Sequence, residues 1–260
     1  MRTLLHARAT HSRIAPTRSS FLAVVAFGVS LVCASSVSAQ TILTGELLTN
    51  PGAESNLTGW TITSGVGYLA DAGTYDPGYN PHSGTRQFVA GAAPGASGTL
   101  GQLVNLTSLS SVILDRIDAG LVSADVSLWY NIYYQGGLPD YLHVTLTFQD
   151  ASSNSLGTAT TADLNSSYSG GSLWNYYSDS FAVPVGTRAI TYTIVSQRGA
   201  NGGSYIDAFS DDHSLVLSTV PEPASSALVG GLLVCIAALI VLRRRTAGQP
   251  HGPPPRPVIP

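Results

Sequence analysis

The sequence predicts an all-β fold, a two-sheet antiparallel β-sandwich of the jelly-roll type over residues 40–219. Three observations predict it: several segments alternate apolar and polar residues, turn-forming clusters separate them, and no convincing helix appears apart from a short turn at 109–119. The two ends of the 260-residue chain carry apolar runs next to arginines. These ends are therefore predicted to be targeting segments outside the fold.

The clearest strand is predicted from Val122 to Ile132, where even-numbered residues are apolar or aromatic and most odd-numbered residues are polar. A period of two is what a strand with one buried face needs. The same alternation occurs over 142–148 and 190–194. Turns are predicted at clusters that contain Gly or Pro, namely 76–78, 94–96, 135–137 and 169–171. Many short strands in a domain of about 180 residues favour a jelly roll.

Residues 1–39 are predicted to be a signal peptide. Four arginines precede an apolar run at 21–34, which is shorter than the roughly 20 residues that a membrane-spanning helix needs. Val37 and Ala39 occupy the third and first positions before Gln40, the pattern that signal peptidase cleaves. Cleavage between Ala39 and Gln40 would release an exported protein, and the alternative is a short membrane anchor.

The opposite end of the chain carries an apolar segment from Ala224 to Leu242. It is followed at once by Arg243, Arg244 and Arg245. The length of the segment is close to a bilayer span, so a transmembrane helix is predicted at 224–242. The arginines would stay in the cytoplasm under the positive-inside rule, which places residues 40–219 outside.

Just before this helix stand Pro221, Glu222 and Pro223. The order Pro-Glu-Pro, apolar helix and arginine cluster resembles the PEP-CTERM sorting signal of bacterial exosortase systems, here over 220–245. The resemblance implies export in a Gram-negative-type bacterium, transient anchoring in the inner membrane, cleavage by an exosortase and delivery to the cell surface or extracellular matrix. A predicted disordered Pro-rich tail, 246–260, departs from the pattern, which normally ends soon after the arginines. The alternative is a permanent transmembrane anchor.

Composition excludes several chemistries. All twelve basic residues are Arg, which removes any lysine Schiff base. Residues 40–219 contain four Arg and fourteen carboxylates, a formal charge of −10 that argues against nucleic acid as a partner. The two cysteines, Cys33 and Cys235, lie in the apolar ends. The middle of the chain therefore has neither a disulfide framework nor a thiolate zinc site.

The middle domain opens on Asn50-Pro51-Gly52-Ala53-Glu54 and Gly59-Trp60, and it closes on Asp207-Ala208-Phe209-Ser210-Asp211-Asp212-His213-Ser214-Leu215. This pairing is similar to galactose-binding-domain-like jelly rolls, which include many carbohydrate-binding modules. The resemblance implies that the first and last strands share a structural calcium ion, with Glu54, Asp207 and Asp211 as ligands and Asn50 as an additional oxygen. The alternative is that Glu54 bonds a turn and the aspartates solvate the final loop. No other cofactor is expected.

Aromatic residues suggest a ligand surface, because all twelve Tyr and all three Trp lie within 40–219. Trp129 has the outward phase of the predicted strand, and Tyr133 continues that phase. Trp174 and Tyr176 lie in or beside a loop. Sugars stack on such rings while neighbouring polar groups bond their hydroxyls. These four residues are the predicted ligand-binding set, and the alternative is that they form cross-strand pairs or a lid over one sheet.

Catalysis has little support in the sequence. Glu46 and Glu54 are the only glutamates within 40–219, and neither a Gly-x-Ser-x-Gly nor a His-Glu-x-x-His motif occurs. The predicted protein is therefore not an enzyme but an exported surface or matrix protein that binds glycan or exopolysaccharide noncovalently. The first alternative is a structural or adhesive protein with no small ligand. The second is a glycan-active enzyme built on Asp pairs.

Overall fold

The computed structural model describes residues 40–220 except 66, 92, 134–138, 166–172 and 201–202. These residues belong to one compact unit. The predicted signal peptide with Ala39, the motif at 221–223 and the arginines at 243–245 lie outside the described residues. Within the described part, no helix is long and apolar enough to cross a membrane. The predicted span at 224–242 falls beyond it.

The described residues form ten strands and one helix. In chain order these are β1 (Thr61–Gly65), β2 (Leu69–Asp71), β3 (Gln87–Val89), β4 (Ser97–Asn105), α1 (Ser111–Asp118), β5 (Val122–Ile132), β6 (Tyr141–Gln149), β7 (Ser155–Thr160), β8 (Asn175–Ala182), β9 (Ala189–Gln197) and β10 (Ala208–Thr219). The first sheet has the order β1-β4-β9-β6-β7, and the second sheet has the order β2-β3-β10-β5-β8. All pairings are antiparallel. The predicted all-β fold with two antiparallel sheets is confirmed.

The alternating segments form the strands that were predicted from them. Strand β5 covers the whole of 122–132, and β6 and β9 extend the segments predicted at 142–148 and 190–194. Helix α1 lies within the predicted short turn at 109–119. Gly120, directly after the helix and its C-cap residue, has a φ of 70°, a left-handed conformation that suits glycine.

The core lies between the two sheets and takes one residue in two from the long strands. On β5 the inward residues Leu128 and Ile132 are fully buried. Tyr192 and His213 meet in this core, where the Tyr192 hydroxyl lies 2.8 Å from His213 Nδ1. Among the described residues, none is a hydrogen-bond partner of His213 Nε2, and burial lowers the pKa of His213 to about 3. The histidine is therefore a neutral core residue.

The outer faces of the two sheets differ. The first sheet exposes threonines, and six of them lie on adjacent strands: Thr145, Thr147, Thr158, Thr160, Thr191 and Thr193. The second sheet is crossed on its outer side by the segment 72–86, which joins β2 to β3. This segment, called here the covering loop, positions the candidate site.

Candidate functional site

Carboxylates hold the covering loop at both of its ends. At its start, Asp71 accepts hydrogen bonds from the backbone N–H groups of Gly73, Thr74 and Tyr75 at 2.9–3.0 Å. At its end, Glu54 accepts from the N–H of Thr85 at 2.9 Å. The Thr85 hydroxyl also bonds Glu54 and is the main cause that lowers the pKa of this carboxyl. A loop fixed in this way can hold side chains against the sheet.

Asp211 holds the middle of the covering loop. Its Oδ2 accepts from the N–H of His82 at 2.9 Å and from that of Ser83 at 3.2 Å, and its Oδ1 accepts from the N–H of Asp212. The residue is fully buried. Burial raises the pKa of Asp211 to about 7, even though three N–H donors favour the charged form.

A β-bulge in β10 creates this arrangement. The register between β10 and β5 shifts between Asp211 and Ser214, and Asp212 has a φ of 46°. Asp211 therefore lies on the outer face, opposite Trp129, while His213 enters the core. Asp212 Oδ2 reaches the covering loop, 2.7 Å from His82 Nδ1.

An aromatic cluster, Trp129, His82, Tyr176 and Trp174, forms where the loop meets the sheet. His82 stacks on Trp129 with ring centroids 4.0 Å apart and an interplanar angle of 14°. Tyr176 is the cross-strand neighbour of Trp129, with centroids 5.3 Å apart. Trp174 meets His82 edge-on at 5.8 Å, and its Nε1 donates to Asn80 O at 3.1 Å. Tyr176 is 56% exposed, so its ring is open to a ligand.

Tyr133 lies in a second group of rings beneath the covering loop. Its ring centroid is 5.3 Å from that of Tyr79, which stacks on Phe209 at 5.0 Å. Val89 completes this buried group, and Trp174 packs against it. Three of the four predicted ligand residues, Trp129, Trp174 and Tyr176, thus come together in the aromatic cluster, while Tyr133 packs under the loop, as the lid alternative expected.

A groove of about 390 Å³ adjoins the aromatic cluster on the same face. It is lined by Gln40, Ile42, Asp125, Val126, Ser127, Tyr176, Ser178, Asp179, Ser180, Ser214 and Val216. Asp125 accepts hydrogen bonds from Gln40 Nε2 at 2.9 and 3.0 Å and from the Ser180 hydroxyl at 2.6 Å. None of these lining residues is an arginine. The groove, which includes Tyr176, therefore offers hydroxyls and carboxylate oxygens beside an exposed ring.

The predicted calcium ligands are only partly brought together. Glu54 and Asp211 border the same glycine: a Cβ placed on Gly52 would lie 3.2 Å from Asp211 Oδ1 and 3.9 Å from Glu54 Cγ. Asp207 lies four residues before Asp211 on nearly extended chain, roughly 13 Å away. Its N–H donates to Asp140 Oδ2 at 2.7 Å. The structure thus separates Asp207 from the other two.

The hydrogen bonds of Glu54 and Asp211 limit the oxygens that these two residues can offer to a calcium ion. Calcium requires six to eight oxygen ligands, whereas Glu54 and Asp211 already accept hydrogen bonds from loop N–H groups. Asn50 Oδ1 likewise accepts from the N–H of Ser55. Within the described ranges, no three His, Cys, Asp or Glu residues are grouped to hold a metal ion. Calcium binding therefore stays a prediction.

Sequence patterns missed His82, Asp212 and Gln40 as members of the site. His82 and Asp212 depend on contacts between residues 130 positions apart, and no local period reports such contacts. Asp125 could have been found, because it has the same outward phase on β5 as Trp129.

No protein family model and no curated protein matches the chain. Among solved structures, the enzymatically active domain of bacteriophage CBA120 tailspike protein 4 is 12% identical with a TM-score of 0.46; the match covers 67% of this chain and 21% of that one. This chain thus spans about a fifth of the tailspike domain. TmCBM61, solved with β-1,4-galactotriose, is 19% identical with a TM-score of 0.43, covering 66% of this chain and 98% of that one.

A third similar structure is the CBM22-1 xylan-binding domain of Paenibacillus barcinonensis Xyn10C. It is 12% identical with a TM-score of 0.37, and the match covers 73% of this chain and 98% of that one. At these TM-scores, none of the three likenesses assigns a function to the chain.

Proposed function

We propose that this is an exported surface or extracellular-matrix protein whose β-sandwich binds glycan noncovalently on the outer face of the second sheet. The observation that carries the proposal is the continuity of the aromatic cluster with the groove, because Tyr176 belongs to both. The galactose-binding-like resemblance of the sequence points to the same class of ligand.

The chemistry of the two neighbouring regions suits a sugar chain. The apolar face of a sugar ring stacks on an aromatic ring, and its hydroxyls bond carboxylates and hydroxyls nearby. Tyr176 supplies an exposed ring, and Asp125 and the groove serines supply polar groups. His82 stacks on Trp129 and bonds Asp212, so the cluster is held in place before ligand arrives. A preorganised site loses less side-chain entropy on binding.

We propose binding rather than turnover. Asp125, the carboxylate on the groove face, bonds Gln40 and Ser180. Asp179 also lines the groove, but it pairs with the inward residue Val126 and accepts from the Tyr177 hydroxyl at 3.0 Å. Fixed acceptors of this kind orient a ligand. An enzyme would instead show glycan turnover that disappears when Asp125 is replaced.

The direct test is retention of the full chain on immobilised galactan, xylan, chitosan and alginate. Tyr176→Ala is compared with Tyr205→Ala, which removes another exposed tyrosine that belongs neither to the aromatic cluster nor to the groove lining. We expect at least one polymer to retain the protein, and we expect Tyr176→Ala to weaken retention about tenfold, or 1.4 kcal/mol, while Tyr205→Ala has no effect. Equal retention of the two variants would contradict the site. Failure of every polymer, together with self-association, would favour the structural alternative.

Export and sorting are proposed from the order of segments in the sequence. We propose cleavage between Ala39 and Gln40, then transient anchoring through 224–242 and release by an exosortase near Pro221–Pro223. In an exosortase-containing bacterium, replacing these three residues by alanine is expected to leave an uncut, membrane-bound form on an immunoblot. Normal release of that variant would contradict sorting at this motif.

The structural calcium ion implied by the resemblance also remains a prediction. If calcium binds the folded protein, millimolar calcium, but not magnesium, should raise the midpoint of thermal unfolding relative to the midpoint in EDTA. Glu54→Gln should remove that rise. An unchanged midpoint in calcium would exclude a stabilising site.

A further inference from the structure

We propose that the groove selects glycans with free amino groups, that is, hexosamine polymers in which the sugar nitrogen is an ammonium ion. This inference rests on the proposed function and specifies its ligand class. It depends on the charge that lines the groove and on a nitrogen donor that the groove already holds.

The groove is acidic and has no nearby compensating cation among its lining residues. Its charge comes from the outward-facing Asp125; Asp179 also lines it, but Asp179 pairs with the inward residue Val126, and its carboxylate accepts from the Tyr177 hydroxyl. Among the described residues that line it, none is an arginine. Two of the four arginines of the described residues are engaged elsewhere: Arg188 pairs with Asp118 at 2.7 Å, and Arg86 donates to Ala70 O. Arg116 and Arg198 are not among the groove residues. A polymer of uronic acids would bring carboxylates against carboxylates, whereas an ammonium group would bring the complementary charge.

Gln40 shows where a nitrogen donor is received. Its Nε2 lies 2.9 and 3.0 Å from the two oxygens of Asp125 and 2.5 Å from the Ser218 hydroxyl oxygen. These acceptors come from the neighbouring strands β5 and β10. The Ser180 hydroxyl bonds the same carboxylate from the other side and fixes its direction. An ammonium nitrogen in the place of the Gln40 amide would make the same contacts as charge-assisted hydrogen bonds, which are about twice as strong.

The nitrogen position lies within reach of the exposed ring. On β5, Asp125 is four residues from Trp129, roughly 13 Å along the strand. The cross-strand neighbours on β8 are Ser180 and Tyr176, with the Ser127–Ser178 pair between them. A short oligosaccharide stacked on Tyr176 can therefore extend along the serines and place a sugar nitrogen at Asp125. Tyr176 would supply affinity, and Asp125 would supply the preference for amino groups.

The test measures binding of the full chain to six-ring oligosaccharides of glucosamine, N-acetylglucosamine, xylose and galacturonic acid, at a pH where the glucosamine nitrogens are protonated. We expect the glucosamine oligomer to bind about tenfold more tightly than xylose, with galacturonic acid weakest. Asp125→Asn is expected to remove that preference. The matched control is Asp163→Asn, which removes one exposed carboxylate that bonds His143 on the first sheet. It is expected to preserve the preference.

The outcomes separate the inference from the proposed function. If xylose or N-acetylglucosamine binds as tightly as glucosamine and Tyr176→Ala weakens that binding, the amino-group preference is wrong and glycan binding stands. If Asp163→Asn weakens the preference for glucosamine as much as Asp125→Asn does, the net charge of the domain causes the preference. The assignment of the preference to the groove is then overturned. If no oligosaccharide binds, both proposals fail.

Discussion

The outer faces of the two sheets are built by the same alternation but carry different chemistry. On the first sheet, threonines of neighbouring strands face each other, as in the pairs Thr145–Thr160 and Thr147–Thr158. The Thr145 and Thr160 hydroxyls lie 3.1 Å apart, so these side chains bond one another. On the second sheet, aromatic rings and carboxylates occupy the equivalent outward positions beneath or beside the covering loop.

The difference between the two sheets lies in their outward residues and not in their inward ones. The inward residues of both sheets are mostly apolar, because both sheets pack on one apolar core. Threonine on the first sheet suits an exposed strand face and needs no ligand to explain it. The rings and carboxylates of the second sheet are not typical strand formers in this combination, and loop contacts hold them. The second face is therefore the one to which we assign the proposed function.

The largest expected effect is the loss of the loop anchor. Asp211→Ala removes the acceptor of three backbone N–H groups, and we expect it to lower the free energy of unfolding by about 2–3 kcal/mol. Thr193→Ala, on the outer face of the first sheet, should change it by no more than about 0.5 kcal/mol. Urea unfolding of both variants measures the difference. Equal losses of unfolding free energy in the two variants would contradict the anchoring role of Asp211.

The dependence of stability on pH sharpens the comparison. Because burial raises the pKa of Asp211 to about 7, its contribution to stability is full below pH 4 and is lost as the pH rises through 7. The slope cannot exceed about 1.4 kcal/mol per pH unit. Asp211→Asn should remove this fall in unfolding free energy between pH 4 and 8. A variant that keeps the wild-type slope would contradict the assignment.

Each face carries one histidine paired with an aspartate, which gives a smaller, matched comparison. His82 bonds Asp212 at 2.7 Å and stacks on Trp129, whereas His143 bonds Asp163 at 3.0 Å on the first sheet. His82→Ala should cost about 1 kcal/mol of stability and weaken glycan binding severalfold. His143→Ala should leave binding unchanged and cost less than about 0.5 kcal/mol. Titration with one retained oligosaccharide and thermal unfolding check both.

The smallest effect is expected within the threonine block. Thr147→Ala removes one hydroxyl from the outer face of the first sheet and should shift stability by no more than about 0.5 kcal/mol, with unchanged glycan binding. Loss of glycan binding in this variant would show that the functional face has been misassigned.

Local periodicity was enough to predict β5, β6 and β9 and the outward phase of Trp129. It was not enough near the start of β10, where strict alternation would put Asp211 and His213 on one face. The bulge between Asp211 and Ser214 instead turns His213 into the core. That shift depends on the loop that Asp211 holds, and His82 lies 129 residues away from it in sequence. Contacts of this separation leave no periodic signal, which is why the covering loop was not predicted.

The predicted ligand sets show the same limit. Trp129 and Tyr176 were predicted from phase and position, and the pairing of β5 with β8 brings them together. Asp207 lies just before β10 and Asp211 lies within it, and the extended chain between them keeps them apart. Residue type and period thus predicted the outward position of Trp129, while distances along and across strands decided which residues meet.

The most direct test of the central claim is oxidative footprinting of the full chain, read by mass spectrometry, with and without a retained oligosaccharide. Tyr176 is 56% exposed, and Tyr205 is 45% exposed and belongs neither to the aromatic cluster nor to the groove lining, so both should be oxidised in the free protein. We predict that ligand slows oxidation of Tyr176 severalfold and leaves Tyr205 unchanged. Unchanged oxidation of Tyr176 in the presence of bound ligand would contradict glycan binding on this face.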